Sequence, residues 1–197
     1  MKSDLGKLPV ERIIPQTGCI QAWVSPTEFN YGVSIPVQPF DSGLEWVYQP
    51  ETPTFELNPF PFPVRDWRDL EGQAFRPSKK VVNNSTVYVG SAHNPVDVLY
   101  IHFGKRVRTR FQLTCVLFCD FDHEGVAQNE TIALVTEVDF WRLRIGAGYL
   151  SRCEIDIGEW KTQVLVDMAQ SFVEMSAYQP EPIRDKHSIW FLPTDEG

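Results

Sequence analysis

The stretch CDFDHEGVAQNET, residues 119–131, sets acids at alternate positions, Asp120, Asp122 and Glu124, directly before Gly125. Carboxylates at that spacing, followed by a glycine that lets the chain turn sharply, open the calcium loop of an EF-hand. Such a loop also needs a bidentate Glu at its twelfth position. Counted from Asp120 that position is Thr131, and Glu130 falls one short. The flanking residues are strand-like, whereas an EF-hand joins two helices. The stretch therefore reads as a hairpin loop carrying solvated acids, and no metal site is expected.

Other reactive residues are equally sparse. The histidines His93, His102, His123 and His187 form no HxH pair, and His102, mid-strand in LYIHFG, reads as a packing residue. No GxSxG elbow and no phosphate-binding glycine loop is present. Glu137, Asp139, Glu154 and Asp156 alternate within TEVDF and CEIDI, as on the polar outer faces of strands. Cys19, Cys115, Cys119 and Cys153 lack CxxC spacing. Cys115 and Cys119 share one face of a strand, roughly 13 Å apart and too far for a disulfide. Reduced, buried thiols follow. In KRVRTR (105–110), Arg106, Arg108 and Arg110 would form a ladder on one strand face, with a partner strand bringing Glu137 and Asp139 to the polar residues just beyond Arg110. No catalytic residue, metal or cofactor is assigned.

The elements that would position these residues change character along the chain. Residues 1–80 hold eleven of the fifteen prolines, which exclude long helices and central strands there. They also hold Trp23, Trp46 and Trp67, too apolar a set for a disordered tail. Short strands near 19–25 and 44–48, joined by extended segments that wrap the core, are expected. From residue 81 the pattern turns regular, with β-branched and aromatic runs at 85–91, 96–104, 106–121, 131–145 and 148–158. Residues 159–178 then place Trp160, Val164, Leu165, Met168, Phe172 and Met175 at helical spacing. A last strand is placed within 183–193. These elements predict one α+β domain over 1–197: a mainly antiparallel sheet over 81–158, one long C-terminal helix packed on it, and an irregular proline-rich N-terminal part.

At 43% hydrophobic and 22% charged residues, the composition is that of a globular domain. A net charge of -8 argues against nucleic acid and anionic membrane as partners. The N-terminal residues lack the apolar core of a signal peptide, so a cytoplasmic location is expected. Without catalytic motifs, the acidic, aromatic-rich chain points to recognition rather than turnover. The leading expectation is a non-enzymatic protein-binding or inhibitory module, of the type of a cytosolic immunity protein that neutralises a basic toxin or enzyme. A structural subunit of an assembly and a hydrolase-like enzyme are the alternatives. The partner-binding residues are expected to be Asp120, Asp122, His123, Glu124 and Glu130, at a projecting hairpin tip.

Overall fold

Alternating apolar and polar residues dominate the chain well beyond the region where the sequence is most regular, and the fold follows that alternation. The computed structural model describes residues 5–24, 29–60, 62–76, 84–146, 162–184 and 188–194. Among them lie ten strands: β1 Gly18–Val24, β2 Phe29–Pro36, β3 Thr54–Phe60, β4 Ala74–Phe75, β5 Thr86–Val89, β6 Ala92–Val107, β7 Arg110–Cys119, β8 Glu130–Gly146, β9 Ile183–Arg184 and β10 Ser188–Phe191.

Strands β1, β2, β3, β5, β6, β7 and β8 pair antiparallel in that order. The circuit then closes, because β1 also pairs with β8, in parallel, from Gly18↔Val138 to Val24↔Ile145. An odd number of alternating strands leaves the first and last running the same way, so the closing seam has to be parallel. Closure removes the open edges that an exposed sheet would present. The short strand β4 pairs with β6 outside this circuit, and β10 takes over beside β8 where β7 ends.

The interior is apolar and filled. Ile20, Ala22, Tyr31, Val33, Ile35, Phe55, Leu57, Val87, Ile101, Phe103, Phe111, Leu113, Leu117, Leu134 and Val138 are all buried. Both mouths are plugged. At the end carrying the β7–β8 loop, here the upper end, Leu8, Val37, Phe40 and Phe121 close over Phe55 and Val87, leaving a void of only about 10 Å³. At the lower end Trp67 stacks on Phe140 with centroids 4.9 Å apart, and its indole N–H donates to the Ala177 carbonyl at 3.0 Å.

Several sequence expectations are corrected here. The fold is mainly antiparallel β, not α+β, and among the described residues no long helix packs on the sheet. Within 159–178 the described chain forms a short helix, α1 (Thr162–Ala169), then turns, and ends in a single 3-10 turn at Met175–Ala177. The backbone N–H of Glu174 donates to Arg65 O, and Ala177 receives Trp67, so tertiary partners claim the backbone that a continuing helix would need. Trp160 lies outside the described residues, as does the strand expected at 148–158. The strand expected near 19–25 is present as β1, but the N-terminal part is no irregular wrapping, since β1, β2 and β3 are staves of the barrel itself. Residues 44–48 form no strand; they belong to a turn-rich loop. The arginine ladder also fails, because Arg108 sits in the β6–β7 turn at φ +56 and splits Arg106 from Arg110. Among the described residues no helix is long and apolar enough to cross a membrane.

Candidate functional site

Among the described residues the interior is filled with side chains, and the accessible chemistry lies on the outer surface. Two outer regions combine chemistry with accessibility.

The first is the upper end. The β7–β8 loop folds back on the barrel rather than projecting from it, because Phe121, Val126 and Ala127 are buried in the core. Its backbone is anchored on several sides. Asp120 N–H donates to Pro95 O at 2.9 Å, Val126 N–H to Phe121 O at 2.9 Å, and Gln128 N–H to Gly6 O at 2.9 Å. Gly125 takes φ +68, a left-handed turn that a side chain would disfavour.

The expected contact residues separate on this frame. Asp120 is half-buried, and its carboxylate accepts the His123 backbone N–H at 3.2 Å, closing the turn. Glu130 is half-buried and lies 3.6 Å from Lys7. Asp122, His123 and Glu124 face solvent, with the His123 imidazole 3.7 Å from the Glu124 carboxylate. The backbone N–H of Asp122 donates to the Asn129 side chain at 2.8 Å. Among the described residues no three His, Cys, Asp or Glu side chains converge on a metal-sized site.

Beside this loop stands a feature that sequence reasoning missed. Residues 41–51 form a loop that leaves Trp46 63% and Tyr48 97% exposed. It is tied together by polar contacts: the Ser42 hydroxyl donates to Glu51 and accepts from Gln49 Nε2 at 2.8 Å, and Gln49 Oε1 accepts Ser42 N–H at 3.1 Å. Glu51 reaches across to the β5–β6 turn, accepting Gly90 N–H at 2.7 Å. In sequence, LEWVY resembles a strand; only the flanking Gly43 and Pro50 hinted at a loop.

The second region is an open groove of about 660 Å³ on the barrel wall, lined by Cys19, Thr109, Asp139, Trp141, Gln179 and Pro193 among others. It arises from the register. β7 covers β8 up to Asp139 and β10 covers it from Leu143, so neither ladder reaches the residues between. On the other side, β1 skips Trp141 as a bulge, pairing Ile20 with Phe140 and Gln21 with Arg142. The bulge turns Trp141 outward and lets Leu143 and Ile145 face the core. Arg142 lies over the Trp141 ring at 3.6 Å and the Trp190 ring at 4.7 Å, and its Nε donates to Gln21 at 2.8 Å.

The groove does not assemble a nucleophile with a base. Burial pushes the Cys19 thiol up, with Glu56 adding to the effect, so the reactive thiolate is disfavoured. Asp139 is engaged by both arms of the Arg110 guanidinium, at 2.9 and 2.8 Å. That pairing places Asp139 opposite Arg110 itself, where the sequence had suggested residues beyond it. No protein-family profile, characterised protein or solved structure matches the chain.

Proposed function

We propose that the protein is a non-enzymatic binding module, of the inhibitor or immunity-protein type, that engages a basic protein partner with the upper end of its barrel. One observation carries this reading: Asp122, His123 and Glu124 face solvent on a loop whose backbone is already fixed by buried Phe121, Val126 and Ala127. A pre-ordered loop loses little conformational entropy on binding, which favours affinity. Its carboxylates speed encounter with a positive surface.

The test is to place photoreactive benzoylphenylalanine at His123 in one variant and at Val135, exposed on the barrel wall, in another. Irradiation in the source cells is expected to crosslink a basic protein from position 123 and not from position 135. With that partner, Asp122→Asn combined with Glu124→Gln slows association several-fold at low salt and changes dissociation little. Adducts only from position 135, or an acidic protein captured at 123, would overturn the reading.

A further inference from the structure

Large aromatic side chains are normally withdrawn from water, and here most of them are. Trp46 and Tyr48 are the most exposed of the few that are not, on a loop that is braced rather than slack. The loop also shares a wall with the acidic one. A Cβ built on Gly90 would stand 3.1 Å from Leu44 Cδ1 and 2.6 Å from Val126 Cγ1, so residues from both loops meet over that glycine. Tyr88, 49% exposed, lies on the strand leading into the same turn, its ring 4.9 Å from that of His93.

The loops around these aromatics themselves carry charge of one sign, edged by Lys7, 3.6 Å from Glu130, and by Arg12, whose guanidinium donates to the Asp41 carbonyl at 3.4 Å. Residues 41–51, 84–95 and 120–130 contain Asp41, Glu45, Glu51, Asp120, Asp122, Glu124 and Glu130 and not one Lys or Arg. Elsewhere the protein places its own arginines over its aromatics, at Tyr100, Trp67, Trp141 and Trp190. Among the described residues no arginine is placed in this way over Trp46 or Tyr48. An exposed indole and phenol in a negative surround suit a cation, since the ring faces are the negative ends of their quadrupoles. They do not suit a second copy of this chain, which would bring the same charge of -8.

We propose that Trp46 and Tyr48, flanked by Tyr88, are the anchors onto which arginine and lysine side chains of the protein partner stack. This inference rests on the basic-partner reading and adds to it a division of labour. The carboxylates set the rate of encounter, and the aromatics set the lifetime of the complex. Tryptophan, tyrosine and arginine are the residues that most often dominate interfaces, and this pairing supplies all three.

A nona-arginine peptide serves as the probe, titrated into isotope-labelled protein and followed by backbone and indole N–H resonances. Shifts are expected at 44–48, including the Trp46 indole, together with shifts at 122–124. The Trp46→Ala/Tyr48→Ala variant should bind nona-arginine about tenfold more weakly, the product of two exposed cation–π contacts. Trp46→Phe/Tyr48→Phe, which keeps the ring faces, should retain most of the affinity. Shifts at 122–124 alone, with the alanine variant binding as wild type, would overturn the anchors and leave the acidic reading standing. No shift at either loop would overturn both. Equal shifts with phosphatidylcholine vesicles would also overturn the protein-partner assignment, because a choline headgroup would then satisfy the same rings.

Discussion

Cys115 and Cys119 report how far the barrel interior is removed from water. Both thiols face inward from β7, and burial pushes each up to about 12 from an ordinary 9.0. A thiol whose folded-state value is raised holds its proton longer when folded than when unfolded. Its stabilising contribution is complete below about pH 9 and is lost as the pH climbs toward about 12. Each raised thiol removes about 1.4 kcal/mol per pH unit inside that window. Urea unfolding across this range should therefore show stability level below pH 9 and falling above it. The Cys115→Ala/Cys119→Ala variant, weaker throughout, should lose most of the slope that precedes tyrosine ionisation and keep the part that the raised Cys19 thiol contributes. An unchanged wild-type midpoint through the window would mean the thiols are not enclosed. At this scale the sequence was partly legible. Period-two alternation places Phe111, Leu113, Cys115, Leu117 and Cys119 on one face, and all five are buried. Run back through Thr109 and Val107 the same alternation fails, because Arg108 turns the chain at φ +56, a conformation that a non-glycine side chain does not announce.

Between elements, the closest approaches fall where glycines sit in the outer barrel wall. A Cβ on Gly32 of β2 would collide with the Asn58 amide oxygen and come within 2.5 and 2.7 Å of Trp23 ring atoms. Gly32 thus lets Trp23 of β1 lie flat across the next strand. Gly32→Ala should displace the indole and cost about 1–3 kcal/mol in denaturant unfolding. Gly6→Ala, with nothing within 4 Å of its Cβ, should change stability by less than about 0.5 kcal/mol. Equal effects at the two positions would deny the β1–β2 packing. The same scale explains which elements the sequence concealed. Strands β6, β7 and β8 are long and strongly alternating, so their existence was readable. Strand β1 was expected near 19–25, but β2 and β3 were obscured by intervening prolines, which here fall largely in the connections, with Pro36 at a strand end and Pro59 near one. The helical spacing over 159–178 was real as a pattern, yet Val173, Ala177 and Tyr178 are buried by a folded-back segment and not by a continuous helix. The expected Met168, Phe172 and Met175 are only half-buried, so periodicity records which residues are apolar while the backbone path selects which of them are enclosed.

For the molecule as a whole, a barrel can either enclose a ligand or fill itself with side chains, and the two designs predict different responses to an apolar solute. This one is filled. Trp67, 1% exposed, is the largest side chain in the lower plug and touches both Phe111 and Phe140 in addition to the Ala177 carbonyl. Trp67→Ala would remove the indole from among aromatic neighbours that cannot fully collapse into its place. The expected cost is about 3–5 kcal/mol, part transfer energy and part cavity. The hole should accept free indole, since an apolar cavity of that kind takes up a matching apolar molecule. Saturating indole should then raise the Tm of Trp67→Ala by several degrees through mass action on the native state. Wild type, with no room at either mouth, should show no rise. A comparable rise in wild type would reveal an interior site and shift attention from the outer surface to a ligand within the barrel. Failure of indole to rescue a folded Trp67→Ala would instead show that the lower end closes over the gap, making residues 173–178 an adjustable cap rather than a rigid plug.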